Sequence, residues 1–164
     1  MNYLSFRTFD IANGEGVRCS LFVSGCSHHC KGCFSPHTWD FDAGQPFTKA
    51  TEDSILDAVR SCFVDGLTLL GGDPMMPANQ IGLIGLVRRF RSEFGKTKTI
   101  WCYTGCLLEE LKDSSSPFHT VVTDELLEKI DVLIDGPYVE ARRDPSLAFR
   151  GSSNQRIIKL HETA

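Results

Sequence analysis

Cys26, Cys30 and Cys33 fall in one run, Gly25-Cys-Ser-His-His-Cys-Lys-Gly-Cys-Phe34, with gaps of three and then two residues. Cysteine thiolates are the usual ligands of iron–sulfur clusters. Three of them on one tight loop can cap three corners of a 4Fe–4S cube and leave the fourth iron open to a small molecule. An open coordination position separates a working metal site from a closed structural one. The same run can also hold zinc, with His28 or His29 completing a Cys3His set. Against zinc, the chain has no second Cys-x2-Cys pair, and histidines inside the loop reach back to its own metal awkwardly. Both are expected to face solvent, or to contact a partner protein.

The other four of the seven cysteines carry less weight. Reduced cytosolic thiols point to metal binding or catalysis rather than to a disulfide framework. Cys19, Cys62 and Cys102 lie in apolar runs and read as small core residues. Cys102 and Cys106 flank Tyr-Thr-Gly, and a lone pair of that kind is thin ground for a second metal site.

The elements that must position the loop alternate in type. Val17–Val23 reads as a strand that delivers it. Thr48–Cys62 carries Ile55, Leu56, Val59 and Phe63 at helical spacing, with Thr51 as its start. Gly66–Leu70 is a second buried strand. Ala78–Phe94 is a second helix with Ile81, Ile84, Leu86, Val87 and Phe90 on its apolar face. Thr97–Tyr103 is a third strand, Leu107–Leu111 a helical piece, Thr123–Ile130 a helix capped by Thr123, and Asp131–Asp135 a fourth strand. Residues 141–164 are polar and irregular apart from a strand at Gln155–Leu160. The expectation is one domain over residues 1–164, with its core at about 15–140. Strands alternating with helices imply an α/β fold with a mainly parallel sheet. The units are too few to close an eight-fold barrel of roughly 250 residues, so an open part-barrel remains.

In such sheets ligands bind beyond the carboxyl ends of the strands. The cysteine loop follows the first core strand, Gly71-Gly72-Asp73-Pro74 the second, Thr104-Gly105 the third and Asp135-Gly136 the fourth. Glycines let a ligand approach the backbone, and carbonyls at a strand end beside the Asp73 carboxylate suit an ammonium group. Thr104 and Asp135 can equally be turn formers.

The C-x3-C-x2-C spacing is that of the radical S-adenosylmethionine (SAM) superfamily, which the chain resembles. Gly71-Gly-Asp-Pro74 is similar to that superfamily's SAM-amine motif, although Asp73 stands where Glu is frequent. Asn13-Gly-Glu-Gly-Val-Arg18, Gly44-Gln-Pro-Phe-Thr-Lys49, Asp135-Gly-Pro-Tyr138 and Asp144–Gln155 resemble the activating proteins of anaerobic (class III) ribonucleotide reductases. The resemblance implies the partial-barrel fold, one 4Fe–4S cluster on Cys26, Cys30 and Cys33, and SAM on the open iron. Reductive cleavage of SAM would give a 5′-deoxyadenosyl radical that makes a glycyl radical on the reductase. No catalytic side chain beyond cluster and cofactor is implied. Phe34 would stack on the adenine, or else pack beneath the loop. Gly71, Gly72, Asp73, Thr104 and Asp135 are the further SAM contacts, and reduced flavodoxin is the electron donor. Arg142, Arg143 and Arg150 are solvated surface groups, or they dock the reductase or the SAM carboxylate. Within the same class the alternative is an activase of the pyruvate formate-lyase type. The block Arg150–Gln155 and the lack of a ferredoxin-like cysteine insert stand against it. A zinc-stabilised binding module is the rival from another class.

Bulk properties exclude some partners. The chain has 164 residues and a net charge of −4, from 17 Lys+Arg and 21 Asp+Glu. It lacks the basic excess that marks nucleic-acid binding. No apolar run approaches the length of a membrane span, and the first residues do not read as a signal peptide. A cytoplasmic protein is expected.

Overall fold

Alternation along four short strands decides the architecture. In β2 (Arg18–Val23), β4 (Gly66–Gly71), β5 (Thr99–Tyr103) and β6 (Val132–Asp135), every second side chain enters one hydrophobic core. Those residues are Cys19, Leu21 and Val23, then Leu67 and Leu69, then Ile100 and Cys102, then Leu133. The core is completed by α1 (Lys49–Val59), α2 (Pro77–Phe94) and α4 (Thr123–Lys129), through Ile55, Leu56, Leu83, Val87, Phe90 and Leu126. Side chains of a strand alternate between faces, so Ser20, Phe22, Thr68, Leu70, Trp101 and Tyr103 point the other way. Trp101, Val132 and Ile134 form a separate small cluster there with Tyr103 and Phe149.

The computed structural model describes residues 1–161. Its seven-stranded sheet has the order β3-β1-β2-β4-β5-β6-β7, where β1 is Asn2–Asp10, β3 is Gln45–Pro46 and β7 is Arg156–Lys159. The four central strands are parallel. The flanking strands β1, β3 and β7 pair antiparallel. The sheet is therefore mixed α/β, parallel at its centre, and open among the described residues. The sequence reading began the core near residue 15 and missed β1. Of its side chains only Tyr3 and Asp10 are buried, so no period-two burial marks it. Residues 162–164, included in the expected domain, lie outside the described residues.

Local corrections have local causes. Helix α1 is capped by Thr48 and does not begin at Thr51: the Thr48 hydroxyl accepts the Thr51 N–H and the Thr51 hydroxyl accepts the Thr48 N–H, a capping box. The helix ends at Val59, so Phe63 and Cys62 lie beyond it and are exposed, not core. Ile81 also faces outward, on the solvent side of α2. Helix α4 takes Val122 as its cap residue; the Thr123 hydroxyl instead accepts the Thr120 N–H and donates to Gln80. No helix among the described residues is long and apolar enough to cross a membrane.

One buried cation braces the lower sheet. The Arg18 guanidinium is 1 % exposed and donates to Thr68 Oγ1 (3.1 Å), Thr99 Oγ1 (2.7 Å) and the carbonyls of Leu67 (2.8 Å) and Thr99 (2.9 Å). Burial lowers it to about 10. It stays charged at neutral pH because those acceptors replace its water.

Candidate metal centre

Strand β2 ends at Val23, and the chain turns into the cysteine loop. Backbone bonds anchor the loop at its start: Gly25 N–H donates to Thr38 O (2.7 Å) and Cys26 N–H to Trp39 O (3.1 Å). A turn closes its end, from Cys33 N–H to Cys30 O (3.1 Å). Cys26, Cys30 and Cys33 are free thiols, half-buried, and all three line one cavity of about 610 Å³. Burial raises Cys26 to about 11 and also raises Cys30. Among the described residues their sulfurs do not gather within 4.8 Å of one another. A single zinc ion with Zn–S near 2.3 Å needs sulfurs about 3.8 Å apart. Three half-buried thiols on one cavity wall are the donor set that iron–sulfur clusters take.

The cavity lies on the sheet face that the helices leave uncovered, with Phe22, Leu70 and Tyr103 as its floor. Its size falls within the ~300–1,000 Å³ of small-molecule sites. The rim brings together Phe34, Gly71, Gly72, Asp73 and Thr104, as the strand-end rule anticipates. Gly71 has φ of +111°, and a Cβ there would meet the Val23 backbone at 2.6 Å. A Cβ on Gly72 would lie 2.6 Å from Gly25 O. The two glycines thus let the turn after β4 lie directly against the root of the cysteine loop.

Asp135 is not on the rim. It is fully buried beside the cavity, where its carboxylate accepts the Leu108 N–H (2.8 Å) and Arg156 Nε–H (2.9 Å). It ties β6 to β7 and to α3 (Leu108–Lys112). Phe34 is 66 % exposed, so it is no core contact beneath the loop. Its ring lies 5.1 Å from that of Tyr138, with the Arg143 guanidinium 5.8 Å from its centroid. Arg143 and Arg150 line the cavity; Arg142 does not.

Asp73 is a hub. It is 1 % exposed. Its Oδ1 accepts the Met75 N–H (2.8 Å), and its Oδ2 accepts Gly105 N–H (2.9 Å), Thr104 Oγ1–H (3.1 Å) and His28 Nε2–H (3.0 Å). Asn79 Nδ2 donates to the carbonyls of Asp73 (2.8 Å) and Ser24 (3.0 Å). His28 therefore does not face solvent: it is half-buried, tilted against Phe118, and its hydrogen bond to Asp73 raises its pKa against the opposing effect of burial. His29 is exposed and stacks on Trp39 at 4.6 Å. The sequence points to His28 only as a zinc ligand or as a solvent-facing or partner-contacting residue, and does not single out Asn79; the contacts of His28 with Asp73 and of Asn79 with Ser24 join residues far apart in the chain.

His28, Asp73 and Cys106 have ligand atoms within 4.8 Å of one another. The trio is better explained without an ion. Asp73 Oδ2 already accepts three donors, and burial holds the Cys106 thiol protonated far above neutral pH. Cys19 and Cys102 are core residues as expected.

Comparison with known proteins follows the same residues. A family described as "4Fe-4S single cluster domain" matches residues 12–158. An anaerobic ribonucleoside-triphosphate reductase-activating protein of Escherichia coli K12 is 44% identical over 162 residues, which are 98% of this chain and 99% of that protein. The protein of the same name from Vibrio cholerae is 43% identical over the same shares. The one from bacteriophage T4 is 38% identical over 96% of this chain and 93% of its own length.

Proposed function

The chain belongs to the family of anaerobic ribonucleoside-triphosphate reductase-activating proteins, and on that premise we propose that it is a radical SAM activase for such a reductase. Cys26, Cys30 and Cys33 would hold the cluster. When bound, the cluster supplies the electron that splits the SAM S–C5′ bond, giving methionine and a 5′-deoxyadenosyl radical able to take a hydrogen atom from a glycine. The observation that carries the reading is the convergence of the three thiols and the strand-end residues on one cavity.

The chain's own residues bind and orient. Carbonyl oxygens at the end of β4 accept the methionine ammonium, since the Asp73 carboxylate is already committed to four protein donors. Arg143 and Arg150 offer cationic groups to the carboxylate or to an incoming acidic segment. Phe34 presents an exposed ring for adenine. The open sheet reads as a part-barrel in a single domain spanning residues 1–164, whose uncovered face admits a loop of the reductase. Reduced flavodoxin, in the cytoplasm, is the proposed donor.

The test is electron paramagnetic resonance after anaerobic incubation of the loaded protein with SAM, a reductant and either of two partners. An organic radical on anaerobic ribonucleotide reductase, and none on pyruvate formate-lyase, is expected. The reverse pattern would reassign the partner, and no radical on either would end the activase reading.

A further inference from the structure

Between Ser27 and Gly32 no backbone hydrogen bond ties the cysteine loop to the rest of the described chain. His29 sits there at φ of +47°, a left-handed conformation that costs a non-glycine residue about 1 kcal/mol or more. Something must hold this stretch against relaxation. Side chains do the holding: the His29 ring stacks on Trp39, the Cys30 thiol lies on the cavity wall, the Ser27 hydroxyl sits 3.2 Å from Met76 Sδ, and the His28 imidazole reaches furthest across, to Asp73 and Gly105. The last contact is built on both sides. Asp73 Oδ2 accepts Nε2–H, and Gly105 provides the seat: a Cβ there would fall 2.5 Å from the ring's Cδ2 and 2.8 Å from Nε2. Gly105 has no left-handed φ to explain it, so close packing of the ring is the reason for a glycine at this place.

We propose that His28 is a positioning residue, a latch seated on Gly105 and bonded to Asp73, that fixes the middle of the cysteine loop against the turns after β4 and β5. Asp73 also bonds the backbones of Met75 and Gly105. One carboxylate thus sets where three thiols sit relative to the surface that receives the cofactor's amino-acid end. The inference rests on the activase reading for its functional consequence, not for its geometry.

The test has two arms. In metal-free protein, trypsin cleavage after Lys31, whose side chain is 92% exposed, reports loop opening. His28→Ala and Gly105→Ala should each be cut about tenfold faster than wild type. His28→Gln, whose amide nitrogen can reach the same oxygen, should recover most of the protection and stands in if His28→Ala does not fold. After anaerobic loading, both latch variants should keep their iron. They should show a KM for SAM raised at least about tenfold, with kcat changed less. Wild-type cleavage rates in both alanine-type variants, or a His28→Gln as open as His28→Ala, would overturn the latch. If wild type itself binds no cluster or cleaves no SAM, the activase reading fails while the proteolysis arm still decides the latch.

Discussion

Asp73 separates two accounts of one residue. As an ammonium ligand it would be dispensable to the fold; as a hub it braces three turns. Asp73→Asn removes the negative charge and at least one acceptor from four donors. Leaving buried donors unpaired costs about 1–3 kcal/mol. Urea unfolding of metal-free protein should therefore show a loss of about 2 kcal/mol, and an unchanged midpoint would return Asp73 to the role of ligand. The Gly-Gly-Asp-Pro run drew attention to this position from sequence alone. Its partners did not announce themselves, because nothing local tells that His28 and Gly105 meet there. The three cysteines were legible for the opposite reason: their chemistry is written in one short run. Asp135 shows the limit of the strand-end rule. A residue at the right end of a strand can turn inward, and here Arg156 and the start of α3 claim it.

Elements were readable wherever one face is buried and blurred where caps or edges decide. The apolar stripes of α1 and α2 gave both helices, yet the start of α1 was placed at Thr51 because acidic residues follow it. Thr48 is the residue whose hydroxyl takes the free N–H. Thr48→Ala should cost about 1 kcal/mol in thermal or urea unfolding; a negligible change would deny the cap its role. Between α2 and α4, Arg88 grips Glu125 and holds its carboxyl down to about 2. A free glutamate takes up its proton near pH 4.3. With the folded value depressed, the stabilisation is complete above that pH and is lost as pH falls through about 2. The pair is solvent-exposed, so its contribution is small. The gap in Tm between wild type and Arg88→Ala should be widest near pH 6 and vanish near pH 2. A gap that does not depend on pH would show that packing, not charge, joins the two helices.

At the scale of the whole molecule, the decisive asymmetry is a sheet covered by helices on one face and left to a cavity on the other. The α/β pattern and the parallel centre were legible in the alternation of strand and helix signals. Of the antiparallel edge strands, β7 was legible within Gln155–Leu160, whereas β1 and β3 were not, since they carry no burial period. On the proposed reading, that uncovered face is the entrance through which a loop of the reductase reaches the site. The account's central claim is a cluster held by three thiols with one iron free for SAM. Mössbauer spectroscopy of iron-57-loaded protein, before and after SAM is added under anaerobic conditions, tests it most directly. One iron in four should shift to a higher-coordinate signal when SAM binds, and Cys30→Ala should fail to assemble the cluster. Four irons unaltered by SAM, or a cluster that assembles fully without Cys30, would contradict the account.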